Sequence, residues 1–259
     1  MSIVLKENEW AEQMVQSKSL GSKPSETLKR VARYYIDNGY SKRGELRQKL
    51  EVFLIQCDPL ASLPKWEAAI EYAINSAIKY PAIYIESIHI TQNEMQTIQS
   101  LNGKQLQRLA FTLLCLAKYW HEVSPDADYW VNNKDNEIMA LANINTSIKR
   151  QCQFYGELKE LGLIRFSKKI DNTNVRVNYV SDDKVVLDIN DFRNLGYQFL
   201  KYEYRKSKRN PYFECCNCGI TVKYTDPEKG RKQKFCKSCA TDIAVQQRVN
   251  YIMRRRKNA

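Results

Sequence analysis

The chain has 259 residues, with 41 Lys+Arg against 29 Asp+Glu, 2 His, 8 Cys and a hydrophobic content of 43%. That apolar content is enough for a packed core, which excludes wholesale disorder, and two histidines are too few for a His-rich metal site. The opening MSIVLKENEW has no apolar signal core, and the longest apolar run, residues 109–117, is far short of the ~20 residues that span a bilayer, so the expectation is a cytoplasmic protein without membrane association.

In chain order, residues 1–81 read as helical throughout. A first helix is expected over 6–17. Ser25 is expected to cap a second, with Leu28, Val31, Ala32 and Tyr35 on one face and a stop at Gly39. Ser41 starts a third, with Leu46, Leu50, Phe53 and Leu54 at helical spacing. Pro64 opens a fourth, with Trp66, Ile70, Ala73, Ile74 and Ala77 facing inward and Pro81 ending it. These stripes are core, and no chemistry is assigned to them. At 82–90 the period changes, and Ile83, Ile85, Ile88 and Ile90 suggest a short strand. Thr91-x-x-Glu94 is a capping box that starts a helix running to Leu101. Gly103 separates it from a long apolar helix over 104–120, and a further helix is expected over 136–142.

Asn145 or Thr146 is expected to cap a helix through Leu161, with Ile148, Cys152, Tyr155 and Leu158 facing in and Gly162 ending it. LIRFSKK and VRVNYV then alternate as two strands around a turn at 170–174, and KVVLDI reads as a third. Helices followed by a hairpin are the element order of a winged helix, whose last helix enters the major groove while the hairpin touches the backbone. Ser147, Lys149, Arg150 and Gln153 would lie on that helix's outward face, and Lys168, Lys169 and Arg176 on the hairpin. Arg and Gln suit base edges. Against this, the same helix carries Glu157 and Glu160, and winged helices also serve as protein-docking modules. Cys57, Cys115 and Cys152 occur singly in apolar helical contexts and are expected to be small buried hydrophobes.

The last segment has a different character. Cys215-x-x-Cys218-Gly is followed, after 17 residues, by Cys236-x-x-Cys239. Two such turns aim four sulfurs at one point, which suits a tetrahedral Zn2+ site. With four protein ligands the site would be closed and hold one structural zinc, and Cys216 would be a free neighbour. ITVKY and KQKFC read as the ribbon's strands, joined by a turn at 226–230. Beyond Cys239, Ile243, Val249 and Ile252 are spaced for one helix face. Residues 201–259 carry 16 Lys+Arg against 5 Asp+Glu, leaving 25 against 24 for residues 1–200. The body is neutral and the tail strongly basic, which points to a polyanionic partner for one end of the molecule. Candidate phosphate contacts there are Arg205, Lys208, Arg209, Arg231, Lys232, Arg254, Arg255 and Arg256. The blander readings are a linker before the ribbon and a dipole-matched helix end after it.

The phrases QLQRLAFTLLCLAKYW, NEIMALANI, ELKELGLIRFSKK and INDFRNLGYQFLKY, with the terminal CxxCG…CxxC, resemble uncharacterised Firmicutes phage and prophage proteins. Those have a replisome-organiser-like winged-helix body and a C-terminal zinc ribbon. The resemblance covers roughly residues 25–240 and implies a viral origin, a host bacterial cytoplasm and a DNA-binding adaptor. Only the four ribbon cysteines are carried over by residue. The expected fold is mainly α, of α+β type. It has a helical N-terminal region (1–81), a winged-helix-like middle domain (82–200) and a small basic zinc ribbon with a C-terminal helix (201–259). The expected function is binding of nucleic acid, as duplex DNA, in replication initiation or transcription regulation. The alternative is docking on a host protein or ribonucleoprotein complex, such as RNA polymerase or a CRISPR or other defence complex. No paired-carboxylate signature, phosphate-binding glycine loop or nucleophile motif is present, so an enzyme is not expected.

Overall fold

A computed structural model describes residues 3–168, 174–225 and 233–257, the side chains of residues 250, 252 and 254–257 apart. The chain divides into two compact units, Met1–Ile88 and His89–Ala259.

The first unit is built on four helices, α1 (Glu7–Gln16), α2 (Pro24–Asp37), α3 (Arg43–Cys57) and α4 (Leu63–Lys79). Its core is the set of predicted stripes: Leu28, Val31 and Ala32 meet Leu46, Leu50, Phe53 and Leu54, and Ile70, Ala73, Ile74 and Ala77. Ser25 does not cap α2. Lys23 is the flanking residue and Pro24 takes the first helical position, where its fixed φ suits the helix and its missing N–H costs nothing. The predicted strand at 82–90 forms only from Ile88 onward. Upstream, the Glu7 N–H donates to the Ile83 carbonyl (3.0 Å) and the Ile85 N–H to the Leu5 carbonyl (2.8 Å). The segment therefore docks on the start of α1 instead of joining a sheet. Glu7, 1% exposed, organises this corner. Its carboxylate accepts from Arg30 Nε (3.1 Å), Arg33 Nη1 (2.8 Å) and the Ile83 N–H (3.1 Å).

The second unit starts with β1 (Ile88–Thr91), α5 (Gln92–Gln99) and α6 (Lys104–Val123), followed by β2 (Trp130–Val131), α7 (Asp135–Leu141) and α8 (Ile148–Glu160). Then come β3 (Ile164–Phe166), β4 (Val175–Val177), β5 (Val185–Ile189) and α9 (Leu195–Glu203). It closes with β6 (Tyr212–Glu214), β7 (Thr221–Lys223) and α10 (Lys237–Lys257). α6 is the axis of this unit. Residues from Leu106 to Tyr119 are buried on nearly every side, as expected of a helix apolar all round, and α5, α7, α8, α9, β2 and β4 pack on it. The capping box at Thr91 and Glu94 forms as predicted. The fully buried Glu94 carboxylate also pairs with Lys118 (2.7 Å) and accepts from the Ser181 N–H (3.0 Å).

β3 and β4 form the predicted antiparallel hairpin, with Ile164 opposite Val177 and Phe166 opposite Val175. Its third strand is not KVVLDI. β5 pairs with β1, and the two-residue β2 adds to β4, giving the order β2-β4-β3. A strand of two residues has no period to read, which is why sequence misses it. α9 is also unanticipated, since nine residues containing a glycine make a weak helical signal. Gly196 is there for contact: a Cβ would lie 1.9 Å from the Ala142 carbonyl oxygen. α8 is capped by Ser147, whose Oγ accepts from the Arg150 N–H, not by Asn145 or Thr146. Its inward face is Phe154, Tyr155 and Leu158, while Ile148 is 78% exposed and Cys152 is also exposed. Burying Phe154 removes more apolar area from water than burying Cys152, and the helix is turned accordingly. Of the three single cysteines, Cys115 is buried, Cys57 half-buried and Cys152 outside.

Candidate metal centre and nucleic-acid interface

Four cysteines converge where β6, β7 and α10 meet. Cys215 follows β6, Cys218 lies in the turn toward β7, Cys236 precedes α10 and Cys239 sits in its first turn. The turn is closed by the Gly219 N–H donating to the Cys215 carbonyl (2.9 Å), with Gly219 at φ +73°, a conformation glycine adopts without a Cβ penalty. All four Sγ atoms lie within 4.8 Å of one another. Tetrahedral Zn–S bonds of about 2.3 Å place sulfurs about 3.8 Å apart, and the Cys218–Cys236 Sγ distance is 3.8 Å.

The electrostatics fit a divalent cation. Burial raises the Cys215 thiol, but N–H donors of Cys236, Cys218 and Asn217 outweigh it and bring the pKa down to about 6. On Cys239 the Asn217 amide favours the thiolate, yet Cys236, burial, Cys218 and Cys215 oppose it, and the pKa is pushed up to about 12. Four thiolates this close repel one another, and a 2+ ion at their centre removes the conflict. Cys216 is exposed and outside the cluster; its N–H donates to the Lys234 carbonyl (2.9 Å).

The hairpin of this module is not the predicted one. β7 pairs with β6, Phe213 opposite Val222, and residues 233–236 are not in a strand. An apolar residue of β6, Phe213, stacks on Tyr224 (4.4 Å), which explains why YFE serves as the partner. The module is fastened to α9: Arg193 Nη2 donates to the Cys218 carbonyl (2.6 Å) and Asn194 Nδ2 to the Thr221 carbonyl (2.9 Å).

The predicted nucleic-acid residues fall into three groups. On the first turns of α8, Ser147, Lys149, Arg150 and Gln153 are all exposed. Ser147 is engaged as the cap (3.3 Å to the Arg150 N–H). Arg150 bonds Gln153 Oε1 (3.0 Å) and lies over the Phe154 ring (4.5 Å). On the hairpin, Lys168 is exposed. Arg176 is not free: Asp128 holds it bidentately (2.9 and 2.8 Å), and Asn178 takes a third N–H. The sequence reading passed over Arg165, which stands opposite Arg176, places its guanidinium over Trp130 (5.5 Å) and pairs with Asp128 only at 3.8 Å. Strand alternation in IRF was the available signal. After α9, Arg205, Lys208 and Arg209 are exposed. Lys169, Arg231 and Lys232 lie outside the described residues, as do the side chains of Arg254, Arg255 and Arg256.

A groove of about 630 Å³ runs between α8 and the hairpin, lined by Asp135, Cys152, Tyr155, Gly156, Lys159, Glu160, Phe166 and Val175. No described helix is long and apolar enough to cross a membrane. Compared with known proteins, the chain matches no protein-family model, no curated protein and no solved structure. Its own geometry defines a mainly helical protein with a four-cysteine cluster compatible with one structural zinc.

Proposed function

We propose that the chain is a zinc-containing binding protein for duplex DNA, acting by contact and not as an enzyme. In this reading, segment 104–177 is a winged helix, and Cys215, Cys218, Cys236 and Cys239 hold one Zn2+ that fixes the C-terminal module. The observation that carries it is the order α6-β2-α7-α8-β3-β4 with the sheet order β2-β4-β3. In a winged helix of that arrangement, α8 would be the helix offered to the major groove. Lys149 and Gln153, exposed on its first turns, are the base readers. Lys168, Arg165 and the strip around Arg205, Lys208 and Arg209 supply phosphate contacts. Together with the phage resemblance, this supports a role in replication initiation or transcription regulation in a host bacterial cytoplasm.

The test is selection of duplex sequences from a random pool by the full-length zinc-loaded protein, followed by anisotropy titrations across salt. A motif should emerge whose affinity drops about 10- to 100-fold in K149A/Q153A. No duplex affinity even at low salt would refute the reading. The groove beside α8, with Glu157 and Glu160 on the same helix, favours a second reading, docking on a host complex. Stoichiometric capture of one host protein that survives nuclease treatment would support it.

A further inference from the structure

We infer that the tyrosine ladder where α9 meets β6, open at Tyr204 and edged by a strip of cations, is a stacking platform for single-stranded nucleic acid. This goes beyond duplex recognition by α8: the cations Arg205, Lys208 and Arg209 are shared with that reading, while the tyrosine rings belong to this one alone.

Tyr197 packs against Tyr212 (ring centroids 5.4 Å apart, planes 39° apart), and Tyr212 against Tyr204 (6.2 Å, 33°). The rings thus form a short series whose last member, Tyr204, is 39% exposed. Beside it, the Arg205 guanidinium lies 3.6 Å from the Tyr202 ring centroid. Residues 204–209, YRKSKR, are all exposed and hold four cations and no acid. The nearest acidic residues in sequence are engaged elsewhere. Glu203 takes Lys104 (3.1 Å) and Gln99 (2.6 Å), and Glu214 takes Lys201. Among the described residues, Lys206, Lys208 and Arg209 have no carboxylate partner. Four neighbouring like charges repel one another, and a polyanion relieves that repulsion.

The strip is also preorganised. The Ser207 N–H donates to the Tyr204 carbonyl (2.9 Å), Asn210 Nδ2 to the Lys201 carbonyl (2.9 Å) and the Arg209 N–H to Ser207 Oγ (3.3 Å). A flexible linker would lack these bonds.

The choice of a single strand follows from the ring. A duplex offers phosphates to lysines but keeps its base faces stacked inside. Only an unpaired strand presents a π-face that can continue the ladder past Tyr204 while its phosphates reach the cations. An acidic protein would engage the cations and leave the ring's planarity unused.

The test uses the full-length zinc-loaded protein and labelled oligothymidylate and oligouridylate of about 15 nucleotides, within the range one such platform covers. A duplex of equal length is the control. Tyr204→Ala should weaken single-strand binding roughly 5- to 100-fold and leave duplex binding unchanged, with Tyr204→Phe close to the parent. The exposed triple variant K206A/K208A/R209A keeps the test open if Tyr204→Ala fails to fold. Its slope of log affinity against log salt for the single strand should shrink by about 2. K149A/Q153A should leave single-strand binding intact, which separates this inference from the α8 reading. Absence of single-strand binding at low salt, equal loss for both ligands in Tyr204→Ala, or an unchanged slope in the triple variant overturns it.

Discussion

Stripping the metal from the cysteine cluster is expected to melt α10 and leave the rest of the second unit standing. α10 begins at Lys237, between the second pair of cysteines, so a metal held by the four thiolates would pin its first turn. Beyond that turn, among the described side chains, Val245, Val249, Tyr251 and Met253 are 49–59% exposed. Most helical stability in proteins comes from a packed face, and the described side chains of α10 offer little of one. The module's own core is small, three buried cysteines with Cys218, Ile220, Val222 and Phe235 against them. The α6 core lies elsewhere and does not depend on the ion. α10 has 21 residues, about one in six of the described α-helical residues. Titration with a zinc chelator, followed by circular dichroism at the helical band and by metal analysis, should therefore show loss of one zinc equivalent. The helical signal should fall by about one-sixth and recover when zinc is added back, and Cys236→Ser should start at the reduced level. A helical signal unchanged after quantitative zinc removal would refute the reasoning, as would a fully helical protein purified without metal.

Three further outcomes are expected. Glu7→Gln leaves the buried Arg30 and the half-buried Arg33 without their carboxylate, and urea unfolding of the first unit should show a loss of about 3–5 kcal/mol; a loss under about 1 kcal/mol would contradict the Glu7-centred ion pairs. Gly196→Ala places a methyl 1.9 Å from the Ala142 oxygen and 2.5 Å from its carbon. α9 must then move away from the α7–α8 connection, at a cost of about 3 kcal/mol and a melting temperature lower by roughly 6–12 °C; an unchanged melting curve would mean that the close approach does not exist. Cys216→Ser should retain one zinc and the parent's stability, because Cys216 stands outside the cluster; loss of metal in this variant would make Cys216 a ligand.

What could be read from the chain alone was whatever local spacing encodes. The stripes in α2, α3 and α4, the capping box at Thr91, the Gly162 stop and the CxxC pairs all depend on neighbours within a few turns, and each is found at the expected place. The tertiary structure decided what depends on distant partners. Residues 83–85 look like a strand but spend their backbone bonds on Leu5 and Glu7. KVVLDI alternates like a third strand of the hairpin, yet β1 competes for it and wins, leaving the edge of β4 to Trp130 and Val131. On α8, periodicity places Tyr155 and Leu158 inward correctly but groups Ile148 and Cys152 with them, whereas the core takes the larger ring of Phe154. Arg176 has the charge of a phosphate contact, but Asp128, 48 residues away in sequence, already holds it. Charge asymmetry was legible as composition. That the basic segment is fastened to α9, with Tyr204 aligned beside its cations, follows from contacts between elements that no local pattern records.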